Sequence, residues 1–519
     1  MITARRSGVT ALSIHAFLAV LTGLALRLLF ALQFPAPAGD SGLYIQLARN
    51  WADYHIYGLF LNGQLAPTDL RMPGYPAFLA GVAMLFGRTN RAIVLSQSVL
   101  DLGGCFLTAA LAAALAPSAA RRRVGIAALW LAATCPFLAN YSAAVLTEVL
   151  TAFLTTAALV CFAEGMKQQA TTFSFAGHAL RVTASTAGYL GAFIIGLASL
   201  VRPEMPLLLV VAGSMFALRW WKSFGFRKIF QTGVVMGVLF LLPLTPWAVR
   251  NVITLHKLQI SADRYSTLPG EYAPVGFYKW QNTWIMRFRD VYISVWKLNE
   301  EPVLIDDFPA SAFDSREERQ RVADLFNEYN NSPTLDISPE VDRNFAEIAR
   351  ERTARHPLRT YVKLPLQRAL TLWFTPRTEL LPIDGKFFPV ADSWEDSHAS
   401  FLTTAFFGAL GYLYPAMALA GIWLAWRSAG QGSCDSRASD SGLPGALTPA
   451  AETSRFQTLA EQRGEAPNLW GISLIVAYIL VRTAFLTTVE APEPRYVVTC
   501  YPAVLALAAL IWSRASPKH

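Results

Sequence analysis

A single carboxylate marks the point where the chain first leaves a long apolar run. Asp40 lies in PAPAGDSGLYIQLARNWADY, residues 35–54, and directly precedes an amphipathic stretch with Tyr44 on its apolar helical face. One role for Asp40 is to cap this helix, because an aspartate accepts hydrogen bonds from the first free N–H groups. The same position also suits an acid or base catalyst, so the local sequence leaves both roles open.

A group of charged residues at the ends of apolar runs is not explained by the usual distribution of basic residues around a membrane. The group contains Asp40, Arg71, Glu148, Arg202, Glu204, Arg250, Glu490, Glu493 and Arg495. Two simpler explanations stay open, because Arg250 can reach from a helix end to the interface and Arg202 can pair with Glu204. Taken together, the group predicts a site for an anion on one face of the membrane.

Two further arginines, Arg27 and Arg482, lie within apolar runs and not at their ends. A charge inside a membrane span is costly and usually faces a polar cavity or a partner charge. We therefore expect Arg27 and Arg482 to face one shared cavity.

Phosphate is the anion that these arginines predict, because guanidinium groups bind it bidentately and stay charged. The motifs GxGxxG and GxxxxGK[ST] are absent, so no glycine-rich nucleotide loop is indicated. The five cysteines, at 105, 135, 161, 434 and 500, lack metal-ligand spacing. The sequence names no cofactor and leaves a divalent cation open, and a phosphate carried by a lipid fits best.

Length and composition predict a membrane protein. The chain has 519 residues, of which 53% are hydrophobic and 15% charged, and its mean hydropathy is +0.34. Soluble domains carry about 25% charged residues, and several apolar runs here exceed the roughly 20 residues that span a bilayer. We predict an all-α polytopic fold with about ten transmembrane helices. They lie near 11–34, 92–116, 123–140, 143–163, 184–201, 204–220, 229–250, 400–426, 468–489 and 496–513.

Basic residues orient these spans. With the N-terminus inside, the basic clusters at 121–123 and 222–228 fall on inside connections, as the positive-inside rule requires. Both termini are then cytoplasmic, and the charged group faces the periplasm or exterior of a bacterial inner membrane. The first apolar stretch is too long for a signal peptide and contains Arg27, so we interpret it as an uncleaved span. Most of the net charge of +8 comes from basic residues on the inside connections, so no nucleic acid partner is expected.

The spans and polar segments divide the chain into three predicted parts. Residues 1–250 form a transmembrane catalytic module with a first outer loop at 35–91. Residues 251–399 form an extracytoplasmic loop domain, mixed or mostly helical. Residues 400–519 form the last transmembrane helices, with a glycine-rich flexible cytoplasmic linker at 428–466.

Five segments along these parts resemble the integral-membrane glycosyltransferases of the C-type fold. They are GDSGLYIQLARN, RMPGYPAFLAGVAMLFG, LTEVLTAFLTTAAL, LASLVRPEMPLLL and EPRYVVTCYPAVLALAAL. The similarity is greatest to the bacterial branch related to protein O-mannosyltransferases and lipid A aminoarabinose transferases, and it covers most of the chain. It rests on the order of the segments and on their side of the membrane.

The resemblance implies an enzyme that takes a sugar from a polyprenyl-phosphate carrier and transfers it, with inversion, to a hydroxyl acceptor. It implies that Asp40 is the catalytic residue. Many relatives have a second acid beside it, where this chain has Ser41. That departure weakens the case for a metal held by paired acids. The expected substrate-binding residues are Arg27, Tyr44, Arg71, Glu148, Arg202, Glu204, Arg482, Arg495 and Tyr496.

One carboxylate also agrees with the chemistry. Glycoside hydrolases need two, because a poor leaving group must be protonated. A polyprenyl phosphate leaves without protonation when cations balance its charge, so one base for the acceptor proton suffices. A lipid-linked glycan flippase and an O-antigen ligase or polymerase remain alternatives. The sequence names neither the sugar nor the acceptor, which can be a glycan, a lipid or a protein.

Overall fold

The computed structural model describes residues 2–35, 39–167, 171–175, 178–265, 267, 271–440 and 466–514. Helices dominate these residues, and the two sheets among them are antiparallel hairpins of two strands each. The prediction of an all-α polytopic membrane protein is therefore confirmed.

The first half of the chain contains ten helices and two hairpins among its described residues. In chain order they are α1 Ile2–Gln33, α2 Ser41–Tyr54, β1 Gly58–Leu61, β2 Gln64–Pro67, α3 Gly74–Phe86, α4 Asn90–Leu115, α5 Arg121–Ala133, α6 Pro136–Tyr141, α7 Glu148–Gly165, β3 Thr171–Phe175, β4 His178–Val182, α8 Ala184–Ser199, α9 Pro206–Leu241 and α10 Thr245–Leu255.

The second half begins with the predicted loop domain and ends with three apolar helical segments. Its helices are α11 Val275–Gln281, α12 Arg289–Tyr292, α13 Arg316–Asn330, α14 Pro339–Arg355, α15 Leu364–Phe374, α16 Val390–Asp396, α17 His398–Asp440, α18 Leu469–Leu486 and α19 Tyr501–Ala508. Short 3₁₀ segments, Pro494–Cys500 and Ala509–Ser513, extend α19 at both ends.

Seven helical segments of the described chain are long and apolar enough to cross a membrane, fewer than the ten predicted. They are Ser13–Gln33, Asn90–Leu115, Glu148–Gly165, Pro206–Leu255, His398–Gly430, Leu469–Leu486 and Pro494–Ser513. The difference has two causes. Helices α5 and α8 have only 13 and 16 residues. The predicted spans 204–220 and 229–250 are joined in one segment, although Gly225, at φ 69°, interrupts its helical geometry between them.

Small residues allow the membrane helices to pack closely. Ala128, Ala132 and Ala133 on α5 are buried, and a Cβ built at Gly23 of α1 would lie 2.9 Å from the Cβ of Ala133. Close approach of this kind is typical of helix contacts within membranes, where dispersion between backbones replaces the hydrophobic effect.

The first loop is held rigidly against this bundle. The rings of Tyr44 on α2 and Tyr75 on α3 pack edge to face, with centroids 5.1 Å apart. Ser41 Oγ donates to the carbonyl of Val145 at 2.9 Å, and this bond fixes the start of α2 beside the start of α7. The residue before α2, Asp40, is therefore positioned by buried contacts of the first turn of this helix.

A separate hydrophobic core lies within residues 275–355. It is built from large rings on three helices, including Trp280 on α11, Phe326 on α13 and Phe345 on α14. Ser315 and Ser338 cap α13 and α14 through their side-chain oxygens. The described part of the predicted loop domain is thus helical, while the exact boundaries of the three predicted parts stay predictions.

Part of the predicted flexible linker is helical. Helix α17 continues to Asp440, so residues 428–440 belong to a helix that extends beyond its apolar part. The rest of the predicted linker, residues 441–465, lies outside the described residues. The glycine and serine content of this segment led the prediction to end the helix too early.

Candidate active site

A large cavity opens beside the first loop. Its volume is about 680 Å³, and its walls come from the first loop, the turn before α9, the segment after α10, and the chain between α18 and α19. Seven of the ten predicted catalytic and substrate-binding residues line it: Asp40, Tyr44, Arg71, Arg202, Glu204, Arg495 and Tyr496. Glu490, from the predicted charged group, also lines it. Residues that are as far apart as 40 and 495 in sequence therefore meet in one place.

Asp40 stands at the N-cap position of α2, but its side chain makes no capping hydrogen bond. Its Oδ1 instead accepts a hydrogen bond from Arg71 Nη2 at 3.0 Å. Both side chains are about one-third exposed, 35% for Asp40 and 33% for Arg71. The capping role that the sequence left open is thus not the one that this carboxylate takes in the structure.

Arg71 is held from behind by the loop itself. Tyr57 Oη donates to the backbone carbonyl of Arg71 at 2.8 Å, and Arg71 Nη1 donates to the carbonyl of Leu70. Burial lowers the pKa of the guanidinium, but the charge and hydrogen bond of Asp40, together with the nearby Tyr44 and Tyr496, raise it above its usual value. Arg71 is therefore a permanent cation in the cavity wall.

Tyr44 contributes a neutral phenol to the same wall. Its pKa is raised to about 12, mainly by burial and further by the charge of Asp40. A tyrosine with this pKa keeps its proton at neutral pH. It can donate a hydrogen bond to a ligand without adding negative charge next to Asp40.

Behind Asp40, Arg71 and Tyr44, acids and arginines form a network of salt bridges. Glu148 accepts from Arg202 at 2.6 Å and lies 3.8 Å from Arg495, so one buried carboxylate touches two cavity arginines. Glu204 lies 3.6 Å from Arg202 and 3.2 Å from Arg482. The open question about Arg202 is answered, since it pairs with both acids and is closer to Glu148.

The remaining predicted residues do not reach the cavity wall. Glu148 is buried behind the wall, and its Oε2 has no hydrogen-bond partner among the described residues. Arg482 is buried behind Glu204 and also donates to Thr499. Glu148 and Arg482 therefore contact residues that line the cavity but do not line it themselves.

The expectation that Arg27 faces the same cavity is wrong. Arg27, on α1, is buried against α4 and α5, where its guanidinium pairs with Asp101 at 2.7 Å. It also donates to backbone carbonyls, including those of Gly23 and Ala133. A buried guanidinium must satisfy its donors locally, and Asp101 on α4 supplies the counter-charge that the sequence reading overlooked.

Sequence reasoning also missed part of the rim. Arg264 donates to Glu490 at 2.7 Å and to the carbonyl of Thr488, and Asp263 pairs with Lys257 at 2.7 Å. The segment 257–264 has no apolar periodicity and no motif, so nothing in it signalled proximity to the site. Arg250 is also more than an interfacial side chain, as it donates to backbone carbonyls of the first loop.

The charges that line the cavity balance. Four acids, Asp40, Glu204, Asp263 and Glu490, face four arginines, Arg71, Arg202, Arg264 and Arg495. No cluster of three or more His, Cys, Asp or Glu side chains suited to a metal occurs in the described part of the chain. The arginines are therefore the cations that this wall offers to an anionic ligand.

One side of the cavity is apolar. It consists of Pro206, Leu207, Val210, Phe485, Leu486 and Val489, from α9 and from the end of α18. Val210 is 65% exposed and Phe485 is 37% exposed. Because α9 and α18 lie in membrane-spanning segments, this side opens toward lipid, and the cavity can hold an anionic head and an apolar chain together.

Three comparisons were made with known proteins. No family model matches the chain, and no curated protein sequence matches it. Among solved structures, the chain is similar to ArnT from Cupriavidus metallidurans in the apo state, with TM-score 0.36 and 14% identity over 92% of this chain and 77% of that one. The same protein bound to undecaprenyl phosphate gives TM-score 0.36 and 14% identity, over 90% and 77%.

A third similar structure is the Archaeoglobus fulgidus oligosaccharyltransferase in complex with Zn and sulfate, with TM-score 0.36 and 13% identity. The similarity covers 94% of this chain and 53% of that one, so this chain spans about half of that protein. All three similarities are distant, and the functional argument rests on the cavity.

Proposed function

We propose that the protein is a membrane glycosyltransferase that moves a sugar from a polyprenyl-phosphate carrier to a hydroxyl acceptor. One observation carries the proposal: an accessible carboxylate, several arginines and a lipid-facing apolar wall meet in a single cavity. The carboxylate provides a base, the arginines provide a phosphate site, and the apolar wall provides a path for an isoprenoid chain.

The donor lies with its chain along the apolar wall between α9 and α18. Its phosphate faces Arg71, Arg202 and Arg495, which remain charged at any physiological pH. Glu148 holds Arg202 and Arg495 toward the same space from behind. A guanidinium already oriented by a buried acid loses little freedom when phosphate binds, which favours binding.

The reaction is a displacement at the anomeric carbon. The acceptor oxygen forms a bond to that carbon, and the bond from the carbon to the phosphate oxygen breaks. The electron pair leaves with polyprenyl phosphate, whose added charge the arginines stabilise. The acceptor proton passes to Asp40, which lies at the water-accessible end of the cavity. Attack from the face opposite the leaving group inverts the anomeric configuration.

Phosphate binding is also coupled to the base. Arg71 is bonded to Asp40 in the structure. A donor phosphate competes for this guanidinium, so that binding of the donor releases the carboxylate for the acceptor hydroxyl. No step of this scheme requires a metal ion.

A flippase would need a path from this cavity to the opposite face of the membrane. On α18 and α19, the side chains of Tyr478, Arg482 and Tyr501 are fully buried in the packed interior of the described chain. Transfer within the cavity is thus better supported than passage through it, and an O-antigen ligase or polymerase is the remaining alternative.

The test is transfer by purified protein with an undecaprenyl-phosphate-linked sugar. Mass spectrometry of envelope lipids and glycans from a deletion strain first identifies the product that disappears. Wild type should then form this product in vitro. Asp40→Asn keeps the size of the side chain but cannot accept a proton, so transfer should fall by about 10²–10⁴-fold while donor binding persists.

The control for this variant is Asp53→Asn. Asp53 lies on the same helix and pairs with Arg88 on the exposed surface, outside the cavity. It should leave transfer unchanged. Near wild-type transfer by Asp40→Asn would remove Asp40 as the base, and an unchanged envelope in the deletion strain would remove the transferase itself.

A further inference from the structure

A second cavity lies back to back with the first one. Its volume is about 530 Å³, and it is bordered by α2, the β1–β2 hairpin, the start of α3, and α10. Two short segments of chain separate the cavities, one at residues 71–74 and the other at Leu200. Arg71 and Met72 face the first cavity while Pro73 and Gly74 face the second, and Gly74 N donates to Leu200 O at 2.7 Å across the wall.

Aromatic rings form much of the second cavity. Trp51, Tyr57 and Trp247 pack edge to face in sequence, with centroids 5.3 Å and 5.1 Å apart. The indole Nε1 of Trp247 is buried and has no hydrogen-bond partner among the described residues. Ring faces and proline side chains give this cavity an apolar character that suits lipid chains.

The charge of the second cavity is one-sided. Arg250 lines it, and no aspartate or glutamate does, in contrast to the balanced first cavity. The guanidinium lies over the rings of Tyr57 and Trp247, at 5.6 Å and 5.0 Å from their centroids. Its Nη1 and Nη2 bond to protein oxygens, whereas Nε has no partner among the described residues. The cavity therefore offers donors to an anion, and the described residues that line it include no carboxylate.

Helix α10, which borders the cavity with Trp247 and Arg250, also has an exposed apolar face. The side chains of Val249 and Ile253 on α10 are 50% and 69% exposed, and Leu258 just after it is 80% exposed. Helix α10 ends a membrane-spanning segment, so Arg250 lies near the level of lipid phosphates. A ligand that enters from the bilayer meets Arg250 and the aromatic rings together.

From these observations we infer that the second cavity binds an anionic phospholipid, with its phosphate at Arg250 and its chains beside α10. The lipid completes the contact between α10 and the first loop, because Arg250 already bonds to the carbonyls of Tyr57 and Thr68. Tyr57 in turn bonds to the carbonyl of Arg71. The lipid thus stabilises the loop that carries Arg71 and Asp40, whatever reaction the first cavity performs.

Hydrogen exchange of the full-length protein in nanodiscs tests this inference. The two conditions are phosphatidylcholine alone and phosphatidylcholine with phosphatidylglycerol. The anionic lipid should slow exchange of the amides in residues 56–74 by about tenfold, the effect of one charge-assisted hydrogen bond. Amides of α13 and α14, far from the cavity, should exchange equally in both.

Two variants separate the cavity from a general effect of membrane charge. Ala77→Leu fills the cavity and leaves Arg250 and its contacts in place. It should abolish the difference between the two nanodiscs. Gly81→Leu is the matched control on the same helix, where a Cβ meets no heavy atom within 4 Å. It should keep the difference.

Three results would overturn the inference. One is equal exchange of residues 56–74 in the two nanodiscs. Another is an undiminished effect of phosphatidylglycerol in Ala77→Leu. The third is full protection by inorganic phosphate in neutral nanodiscs, which would indicate an ion site and not a lipid site. Native mass spectrometry gives a second measurement, since wild type should retain a phosphatidylglycerol molecule that Ala77→Leu loses.

Discussion

At the level of single residues, the proposed donor site depends on the pair formed by Arg202 and Arg495. Both guanidinium groups lie against the ring of Tyr496, at 5.2 Å and 5.5 Å, and both contact Glu148. Two like charges are held side by side because one buried carboxylate lies behind them. In the proposed function, a donor phosphate on the cavity side completes this arrangement of alternating charge.

Replacing one cavity arginine by alanine should weaken binding of undecaprenyl phosphate. The expected loss for Arg71→Ala, Arg202→Ala or Arg495→Ala is about ten- to a hundredfold, since a charge-assisted hydrogen bond contributes roughly 1.5–3 kcal/mol. Lysine at these positions should restore binding only in part, because the planar fork is lost. Binding is measured on the purified protein by titration with radiolabelled lipid.

Arg88→Ala is the control for this series. Arg88 pairs with Asp53 on the exposed surface and does not line the cavity. Its loss should leave the affinity unchanged. Unchanged affinity in all three cavity variants as well would contradict the phosphate site.

Sequence reasoning located most of the charged residues of the cavity for a physical reason. Charges next to a membrane are costly unless they have a function or a partner, so their unusual side of the membrane was informative. The same reasoning failed for Arg27, because a partner within the membrane satisfies the rule equally well. Asp101 lies in the apolar run 92–116 and was the available signal.

At the level of elements, the Arg27–Asp101 pair connects α1 to α4. Removing one partner leaves a buried charge alone, so Arg27→Met should destabilise the protein by about 3–5 kcal/mol. The double variant Arg27→Met with Asp101→Leu should recover most of this loss, because two apolar side chains replace the two charges. Thermal unfolding in detergent, followed by circular dichroism, compares the three proteins.

A different outcome would return Arg27 to a functional role. If the double variant were fully stable but could not bind undecaprenyl phosphate, the pair would be more than a structural contact. If Arg27→Met alone were as stable as wild type, the pair would not hold α1 to α4.

The helical loop domain should respond to acid. Burial raises the pKa of Asp314, but a hydrogen bond from Arg359 and the charges of Arg352 and Arg355 outweigh this and lower it. A lowered native pKa means that the charged form stabilises the fold above the unfolded pKa of about 3.9, and that this contribution is lost as the pH falls through the native pKa. Stability of the domain should therefore decrease below about pH 4.

Hydrogen exchange of α13 and α14 in the full-length protein measures this effect. Asp314→Asn should increase the amide exchange rates of α13 and α14 at pH 7. These rates should then change less with acid than they do in wild type. Glu317→Gln is the control, because Glu317 lies nearby in the first turn of α13, is exposed, and forms no salt bridge among the described residues. An acid dependence as steep in Asp314→Asn as in wild type would assign the loss to other groups.

The elements themselves were predicted unequally. Apolar runs gave the positions of the membrane helices, because hydropathy is summed over many residues and tolerates local exceptions. Their lengths were less accurate. Helix α5 ends at Ala133, and Thr134 and Cys135 separate it from α6, which begins at Pro136. Polar content suggested a linker at 428–440, although composition does not prevent a helix from continuing.

For the whole molecule, the main question is how the helical domain relates to the cavity. Arg368 on α15 donates to the carbonyls of Asn282 and Ile285 in the domain and to Thr487 at the end of α18. Ala491 lines the cavity and also packs against the domain core. The domain is thus attached at the rim. None of these contacts could be predicted from sequence, because they join segments without shared periodicity.

The orientation of the whole chain is the last prediction. The basic residues predict that both termini are cytoplasmic and that the domain and the cavity face outward. A phosphatase reporter inserted at Glu300, an exposed position in the domain, should be active. Ser441 lies outside the described residues and is predicted to be cytoplasmic. A fluorescent protein inserted there should fluoresce, and a phosphatase inserted there should be inactive. Both signals together place Asp40 at the outer face.

The opposite pair of signals would place the cavity in the cytoplasm. Soluble nucleotide sugars would then reach Asp40 directly, and the apolar wall between α9 and α18 would have no donor chain to hold. A control insertion after Gly87, at the end of the first loop, separates this outcome from a local effect of the inserted reporter. The first loop and the domain share a cavity, so reporters at Gly87 and Glu300 must report the same side of the membrane.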